Sequence, residues 1–263
     1  MIRDLKDAYA GSWRFMLACP ILFALPVAVE GIQHGIEYML GMYQGMDAAQ
    51  AVEAHPARMM WGYLKASVLA LAAYWVIRYL GLGAAQAGRL DPKAVRLFAP
   101  VLLWHLVWGA LLLWGGGLLT LAGIEGRTAL WIGLSVFLGN FVLETALSAW
   151  KVGAAIGNER LTFTRSLKLV GPQLFWGVSF MLAAILPVMI AHYALGIGAI
   201  GAPSTWVVPM LVLDSVLVGY LGALIGAATF VVARRATARA GEDLVAGNGA
   251  PETAPATALP AAA

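Results

Sequence analysis

Three ionisable side chains lie close together in the first long apolar run of the chain. Glu30, His34 and Glu37 are four and then three residues apart, spacings that place side chains on one face of an α-helix. Gln33 adds an amide to the same segment. A charge at the centre of a bilayer costs about 2.5–3.5 kcal/mol, so such residues are candidates for a function. Three uses remain open: a metal site, a proton relay and a structural hydrogen-bond cluster.

Two further polar side chains, His192 and Asp214, lie in the last two apolar runs. At about 1.5 Å of rise per residue, His192 lies as deep as Glu30, and Asp214 lies about two turns from the outer end of its run. If these helices face one another, the sequence predicts a polar pocket that opens outward, in which His34 or His192 is the partner of Glu30. One histidine and two carboxylates on a single helix are an incomplete zinc site. We therefore expect no metal and, in the absence of a haem-attachment motif, no cofactor.

A second polar set lies toward the opposite side of the membrane. Arg78 precedes one Gly-Ala-Ala tripeptide by five residues and Glu144 precedes another by nine, a difference in depth of about 6 Å. This depth predicts an Arg78–Glu144 ion pair, with His105, Asn140 and Lys151 nearby. Such an ion pair could have a structural role only, in which it holds two of the repeats together.

The elements that position these residues are membrane helices. Of the 263 residues, 61% are hydrophobic and 12% are charged, whereas soluble domains carry about 25% charged residues. A span needs about 20 mostly apolar residues. Six runs satisfy this requirement and predict an all-α, six-span protein: 15–40, 60–82, 97–122, 129–149, 173–197 and 207–233.

The basic residues predict the orientation of these spans. Fourteen of the 17 lysines and arginines lie before the first run, around the second and fourth turns, or after the last run. The alternate connections hold only Arg58, Lys65 and Arg127. By the positive-inside rule, both termini are cytoplasmic.

Two short sequence motifs recur along the chain and predict an internal repeat. Each apolar run that opens at Pro20, Pro100 or Pro172 is followed by a returning run that ends in Gly-Ala-Ala, at Gly83, Gly153 and Gly226. We interpret the chain as three helical hairpins, at about 1–85, 86–155 and 156–236. Amphipathic segments at 1–14, 90–98 and 161–169 are expected to form a short interfacial helix before each hairpin. Residues 1–240 would be one membrane domain, and 241–263, rich in Ala and Pro, a disordered cytoplasmic tail.

Two further features bear on packing and chemistry. Gly219, Gly222 and Gly226 form a small-residue face that allows helix backbones to approach closely. The single cysteine, Cys19, excludes an internal disulfide. The chain carries no phosphate-binding loop, no Gly-x-Ser-x-Gly and no His-Glu-x-x-His motif, so we do not expect an enzyme.

One local segment resembles a known family. Arg165-Ser166-Leu167-Lys168-Leu169, followed by Phe175-Trp176, is similar to the Arg-Ser-Trp-x-Leu…Phe-Trp signature of bacterial six-helix membrane proteins of the YciC type. The membrane domain of some glycerophosphodiester phosphodiesterases is similar as well. Leu167 stands where the signature has Trp. The resemblance implies an inner-membrane protein with an envelope- or lipid-related role, and it supplies no functional residues.

Two functions are consistent with these features. The first is a non-catalytic membrane module that contacts membrane lipids, a protein partner or a second copy of the chain, and no nucleic acid. The second is a small transporter whose intramembrane acids and histidines couple movement to protons or other ions. The two differ in whether Glu30, His34, Asp214 and Glu144 converge on a water-accessible path or lie in separate contacts.

Overall fold

The computed structural model describes residues 1–245, and the regular structure within them is entirely helical, which confirms the all-α prediction. Short 3₁₀ turns cover Met42–Gln44 and Gly171–Gln173. The α-helices are α1 (Ile2–Ala18), α2 (Pro20–Met39), α3 (Met46–Glu53), α4 (Pro56–Leu82), α5 (Ala84–Ala87), α6 (Pro92–Leu121), α7 (Gly126–Ala146), α8 (Ser148–Ile156), α9 (Phe163–Val170), α10 (Leu174–Ala199) and α11 (Ser204–Arg239).

The predicted tail lies mostly outside the described residues, which end at Val245. At the start of that segment, Leu244 is buried, and its carbonyl accepts a hydrogen bond from the side-chain amide of Asn158 at 3.0 Å.

Five helical segments are long and apolar enough to cross a membrane, as expected of a multi-pass membrane protein: Pro56–Leu82, Pro92–Leu121, Gly126–Ala146, Phe163–Ala199 and Ser204–Arg239. A sixth candidate is the pair α1 and α2, which meets these criteria only as a pair and is bent by 97°. The bend lies at Cys19, whose backbone leaves the helical region because the following Pro20 disfavours it. The first predicted run, 15–40, therefore crosses a break.

The core of the protein forms around α11, because 78% of its most apolar window is buried, against 11% for α6 and for α7. Its glycines allow close contact with two helices. A Cβ atom at Gly226 would lie 2.9 Å from the Cα of Ala73 in α4, and one at Gly219 would lie 2.4 Å from the Val27 side chain in α2. The predicted small-residue face is confirmed as a packing surface.

The repeat markers lie in unlike local structures, so the repeat is not confirmed. Pro20 is the first residue of α2, Pro100 lies inside α6, and Pro172 lies in a 3₁₀ turn. The glycines differ in the same way: Gly83 ends α4 at a φ of +88°, Gly153 lies within α8, and Gly226 lies in the middle of α11.

Only two of the three predicted interfacial helices are separate elements. Residues 1–14 lie within α1, and 161–169 overlap α9. Residues 90–98 instead form the start of α6, because the Asp91 side chain accepts hydrogen bonds from the amides of Lys93 and Ala94, and the helix continues through Pro100. The prediction of a separate helix before the second hairpin was wrong.

Candidate functional site

All six residues of the predicted pocket converge at one end of the bundle. Helix α2 supplies Glu30, Gln33, His34 and Glu37, while α10 supplies His192 and α11 supplies Asp214. The connection after α2 adds Tyr43, and α4 adds Arg58 and Lys65. We call these nine residues the His34 cluster.

His34 is the centre of this cluster, because both of its ring nitrogens face hydrogen-bond acceptors. Its Nε2 lies 2.9 Å from Asp214 Oδ2 and 3.4 Å from Glu30 Oε1. Its Nδ1 lies 3.1 Å from Glu37 Oε2 and 3.0 Å from the Tyr43 hydroxyl oxygen. A neutral imidazole carries one N–H only. The arrangement therefore requires a cation at Nε2, which is either a proton or a metal ion.

Tyr43 fixes which nitrogen of His34 carries the hydrogen. The Tyr43 hydroxyl donates to Glu37 Oε2 at 2.7 Å, so its oxygen is left to accept from His34 Nδ1–H. Burial, together with the neighbouring Glu37 carboxylate, raises the pKa of Tyr43 well above its usual value. The phenol therefore keeps its proton and remains a donor to Glu37.

Two cations of α4 balance part of the negative charge. Arg58 Nε donates to Glu37 Oε1 at 2.9 Å. Lys65 Nζ lies 3.0 Å from Oε2 and 3.1 Å from Oε1 of Glu30. The three carboxylates of the cluster are thus opposed by two permanent cations, and a single further positive charge, at His34, makes the cluster neutral.

The cluster is buried and borders a cavity of about 220 Å³. Glu30 and Asp214 are both 0% exposed. His192 Nδ1 lies 2.7 Å from Asp214 Oδ1, and Gln33 Nε2 donates to Glu37 Oε1 at 3.1 Å. The other amide atom, Gln33 Oε1, is buried beside the cavity with no hydrogen-bond partner among residues 1–245.

Glu144 belongs to a separate cluster, which contains Trp104, His105, Asn140 and Lys151. Lys151 Nζ donates to Glu144 Oε2 at 2.8 Å, and Trp104 Nε1 donates to Oε1 at 2.6 Å. His105 Nδ1 lies 3.6 Å from the same carboxylate. We call these five residues the Glu144 cluster. All of them except Trp104 line a mostly apolar cavity of about 290 Å³.

The predicted Arg78–Glu144 ion pair was wrong. Arg78 is buried and donates to two backbone carbonyls, Ala155 at 2.8 Å and Gln86 at 3.1 Å. Its closest carboxylate in the described chain is Asp91, at 3.9 Å. The carbonyls at the C-terminal ends of α8 and α5 carry partial negative charge, which holds the guanidinium there. Glu144 is instead neutralised by Lys151.

Sequence reasoning missed four residues of these two clusters: Tyr43, Arg58, Lys65 and Trp104. A signal was present for two of them, because Arg58 and Lys65 are seven residues apart and so lie on one face of a helix. Their place opposite α2 follows only from the antiparallel packing of α2 and α4. Tyr43 and Trp104 carried no such signal.

The chain was compared with known proteins in three ways. No protein-family model, no curated protein and no solved structure matches it.

Proposed function

We propose that this chain is a six-span inner-membrane transporter coupled to a cation that binds at the His34 cluster. The observation that carries the proposal is the position of the two cavities beside the charged clusters, which are stacked along the same three helices. The cation required at His34 Nε2 supports ion coupling in particular, because a buried carboxylate cluster that is short of one positive charge is an ion-binding site.

The six-span topology is supported by the directions of the helices. Helix α2 has 20 residues, a length of about 30 Å, which matches the hydrocarbon core. It runs antiparallel to α4, since Glu30 faces Lys65 and Glu37 faces Arg58. In this proposal α2 is the first span, and α1 lies in the interface.

The position of α1 supports cytoplasmic termini. Arg234 lies 2.9 Å from Asp7, and Arg235 lies 3.6 Å from Asp4, so the start of α1 meets the end of α11. Most of the basic residues belong to this end of the bundle. By the positive-inside rule it faces the cytoplasm, and the His34 cavity opens toward the periplasm.

The two cavities lie at successive depths along α4, α10 and α11. On α4, Lys65 borders the His34 cavity and its neighbour Ala66 borders the Glu144 cavity. On α10, Ile185 of the Glu144 cavity lies seven residues, or about 10 Å, from His192. A polar site with a second chamber beyond it along the same helices is the arrangement that stepwise passage across a membrane requires.

A second candidate function is the non-catalytic module that binds lipid or a partner. The observation that favours it is α7, whose first half is exposed nearly all round, with large apolar residues such as Trp131 and Phe137 on its surface. Such a helix contacts lipid, a partner or a second copy.

A cysteine-accessibility experiment tests the transporter proposal without knowledge of the substrate. In a Cys19→Ala background, Gly196→Cys places a thiol in the His34 cavity, and Ala70→Cys places one in the Glu144 cavity. Each variant is treated with a membrane-impermeant maleimide, in spheroplasts and in inside-out vesicles. Gly133→Cys on α7, where a Cβ meets nothing within 4 Å, is the lipid-facing control.

The transporter predicts labelling of Gly196→Cys from the periplasmic side and of Ala70→Cys from the cytoplasmic side, with no labelling of Gly133→Cys. It also predicts that Glu30→Gln changes the labelling rate of Ala70→Cys, because a change in the ion site shifts the equilibrium between states. If Ala70→Cys does not react, or reacts at the same rate with and without Glu30→Gln, the two cavities are not coupled and the transporter proposal fails.

A further inference from the structure

We propose that the cation of the His34 cluster is a divalent transition metal ion such as Zn²⁺, bound by Glu30, His34 and Asp214. The inference rests on the proposed function, since it names the ion, and it replaces the sequence-based expectation of no metal. The composition of the cluster, the positions of its atoms and the partners of each ligand carry it.

Three donor atoms from two helices face one another at a separation that suits a small metal ion. Glu30, His34 and Asp214 offer one ligand atom each, all within 4.8 Å of one another. In a tetrahedral site with bonds of about 2.0–2.1 Å, ligand atoms are about 3.3–3.4 Å apart. The distance from His34 Nε2 to Glu30 Oε1 is already 3.4 Å. The distance to Asp214, 2.9 Å, must increase by about half an ångström.

Two of these three ligands have a partner on the side that faces away from the site. His34 Nδ1 faces the Tyr43 hydroxyl and Glu37, and Asp214 Oδ1 faces His192 Nδ1. Glu30 is held by Lys65, whose Nζ lies 3.0 Å from Oε2 and 3.1 Å from Oε1. Metal-binding histidines almost always donate their second ring nitrogen in this way, which fixes the tautomer and the ring orientation. The partners of His34 leave Nε2 as the nitrogen that is free for a metal.

An independent observation points to a cation in the same place. Gln33 Oε1 is an acceptor with no partner in the described part of the chain, on a residue that is 5% exposed and borders the cavity. A buried acceptor without a donor costs about 1–3 kcal/mol. A metal ion with a water as its fourth ligand would supply that donor in a cavity of about 220 Å³.

The donor set selects the class of ion. One imidazole with two carboxylates suits Zn²⁺ and neighbouring divalent ions, whereas sites for Mg²⁺ and Ca²⁺ are built from oxygen alone. The single cysteine, Cys19, lies outside the cluster and offers no thiolate for a Cu(I) site. A divalent ion would also displace the proton that His34 Nε2 otherwise requires, and the cluster would then carry one net positive charge.

Metal binding to the full-length protein in mild detergent tests the inference. The protein is stripped with a chelator and titrated with Zn²⁺ by calorimetry, and with Co²⁺ by the visible absorption of a tetrahedral site. We expect one ion per chain, absent in His34→Gln and Asp214→Asn, and about 10–100-fold weaker binding in Glu37→Gln, which alters a partner of His34 but none of the three ligands. The matched control is His55→Asn, which removes an exposed imidazole but keeps a residue that caps α4.

Two results would overturn the inference. One is a wild-type protein that binds neither Zn²⁺ nor Co²⁺, which leaves a proton as the occupant of the site. The other is His34→Gln or Asp214→Asn binding with wild-type affinity, which means that the metal binds elsewhere. Glu37→Gln retains the shape of the side chain and guards against a misfolded ligand variant, and each protein is checked by circular dichroism. The accessibility experiment gives its result independently, so the metal can be refuted while the transporter stands.

Discussion

The His34 cluster and the Glu144 cluster both hold charge inside the bundle, but they are built in different ways. Glu30 and Asp214 are fully buried, and the His34 cluster draws its residues from α2, α4, α10, α11 and the connection after α2. The Glu144 side chain is 18% exposed, and its closest cation, Lys151, is only seven residues away along the chain. A charge shared among many helices depends on the whole fold, whereas a charge paired locally depends on one segment.

This difference predicts at which cluster the loss of a single side chain lowers the free energy of unfolding most. In the His34 cluster each carboxylate contacts two or more partners. Removal of one carboxylate therefore takes a counter-charge or an acceptor from several partner side chains at once. In the Glu144 cluster the partner is a lysine, whose long side chain can move its ammonium toward water. Three substitutions test this comparison, in decreasing order of expected effect.

The largest effect is expected for Asp214→Ala. It removes an acceptor from both His34 and His192 at a fully buried position, and breaking a buried pair in this way costs about 3–5 kcal/mol. Thermal or chemical unfolding of chelator-treated protein in detergent measures the loss. Asp47→Asn, at an exposed acid, should lie within about 0.5 kcal/mol of wild type. An Asp214→Ala loss no larger than that of the control would show that the cluster is not a unit.

A smaller effect is expected for Glu144→Ala. The substitution removes the acceptor of Lys151 and of Trp104, but the site is partly exposed, so we expect a loss of about 1–3 kcal/mol by the same unfolding assay. Glu144→Gln should recover part of this loss, because the amide still accepts from the indole. A loss equal to that of Asp214→Ala would remove the distinction between the two clusters.

The smallest effect is the coupling between Arg78 and Glu144, which the sequence predicted as a pair. Because the structure separates them, the double variant Arg78→Met/Glu144→Gln should be additive within about 0.3–0.5 kcal/mol. The matched cycle of Glu144 and Lys151 should give a coupling of about 0.5–3 kcal/mol. Strong coupling in the first cycle would restore the predicted ion pair.

The His34 cluster shows what the sequence can predict. The spacing of Glu30, His34 and Glu37 fixes their common face, because helical geometry is local and needs no knowledge of neighbouring helices. The helical class and the presence of several long apolar helices follow from composition for the same reason. His192 and Asp214 were placed from their depth alone, and they meet the α2 residues because α11 packs against both α10 and α2.

Arg78 and Glu144 show why the same reasoning fails elsewhere. Depth is one coordinate of three, and two residues at equal depth meet only if their helices are neighbours with the right rotation about their axes. The separation of α7 from α8 at Leu147 was also absent from the prediction, and this break brings Lys151 back to Glu144. The break at Cys19 was missed as well, although Pro20 was its local signal.

The central position of α11 has a consequence for the order in which the protein assembles. In the proposed topology, α2 carries Glu30, His34 and Glu37 into the membrane, although it meets the criteria for a span only together with α1. Its first counter-charges, Arg58 and Lys65, follow in α4. Asp214, in contrast, is synthesised about 10–40 s after His34, at about 5–20 residues per second.

During that interval α2 and α4 exist as a charged hairpin without the helix that covers it. In that topology, the last helix, α11, completes the site that α2 begins. Until α11 inserts, His34 lacks its partner Asp214 on the opposite side.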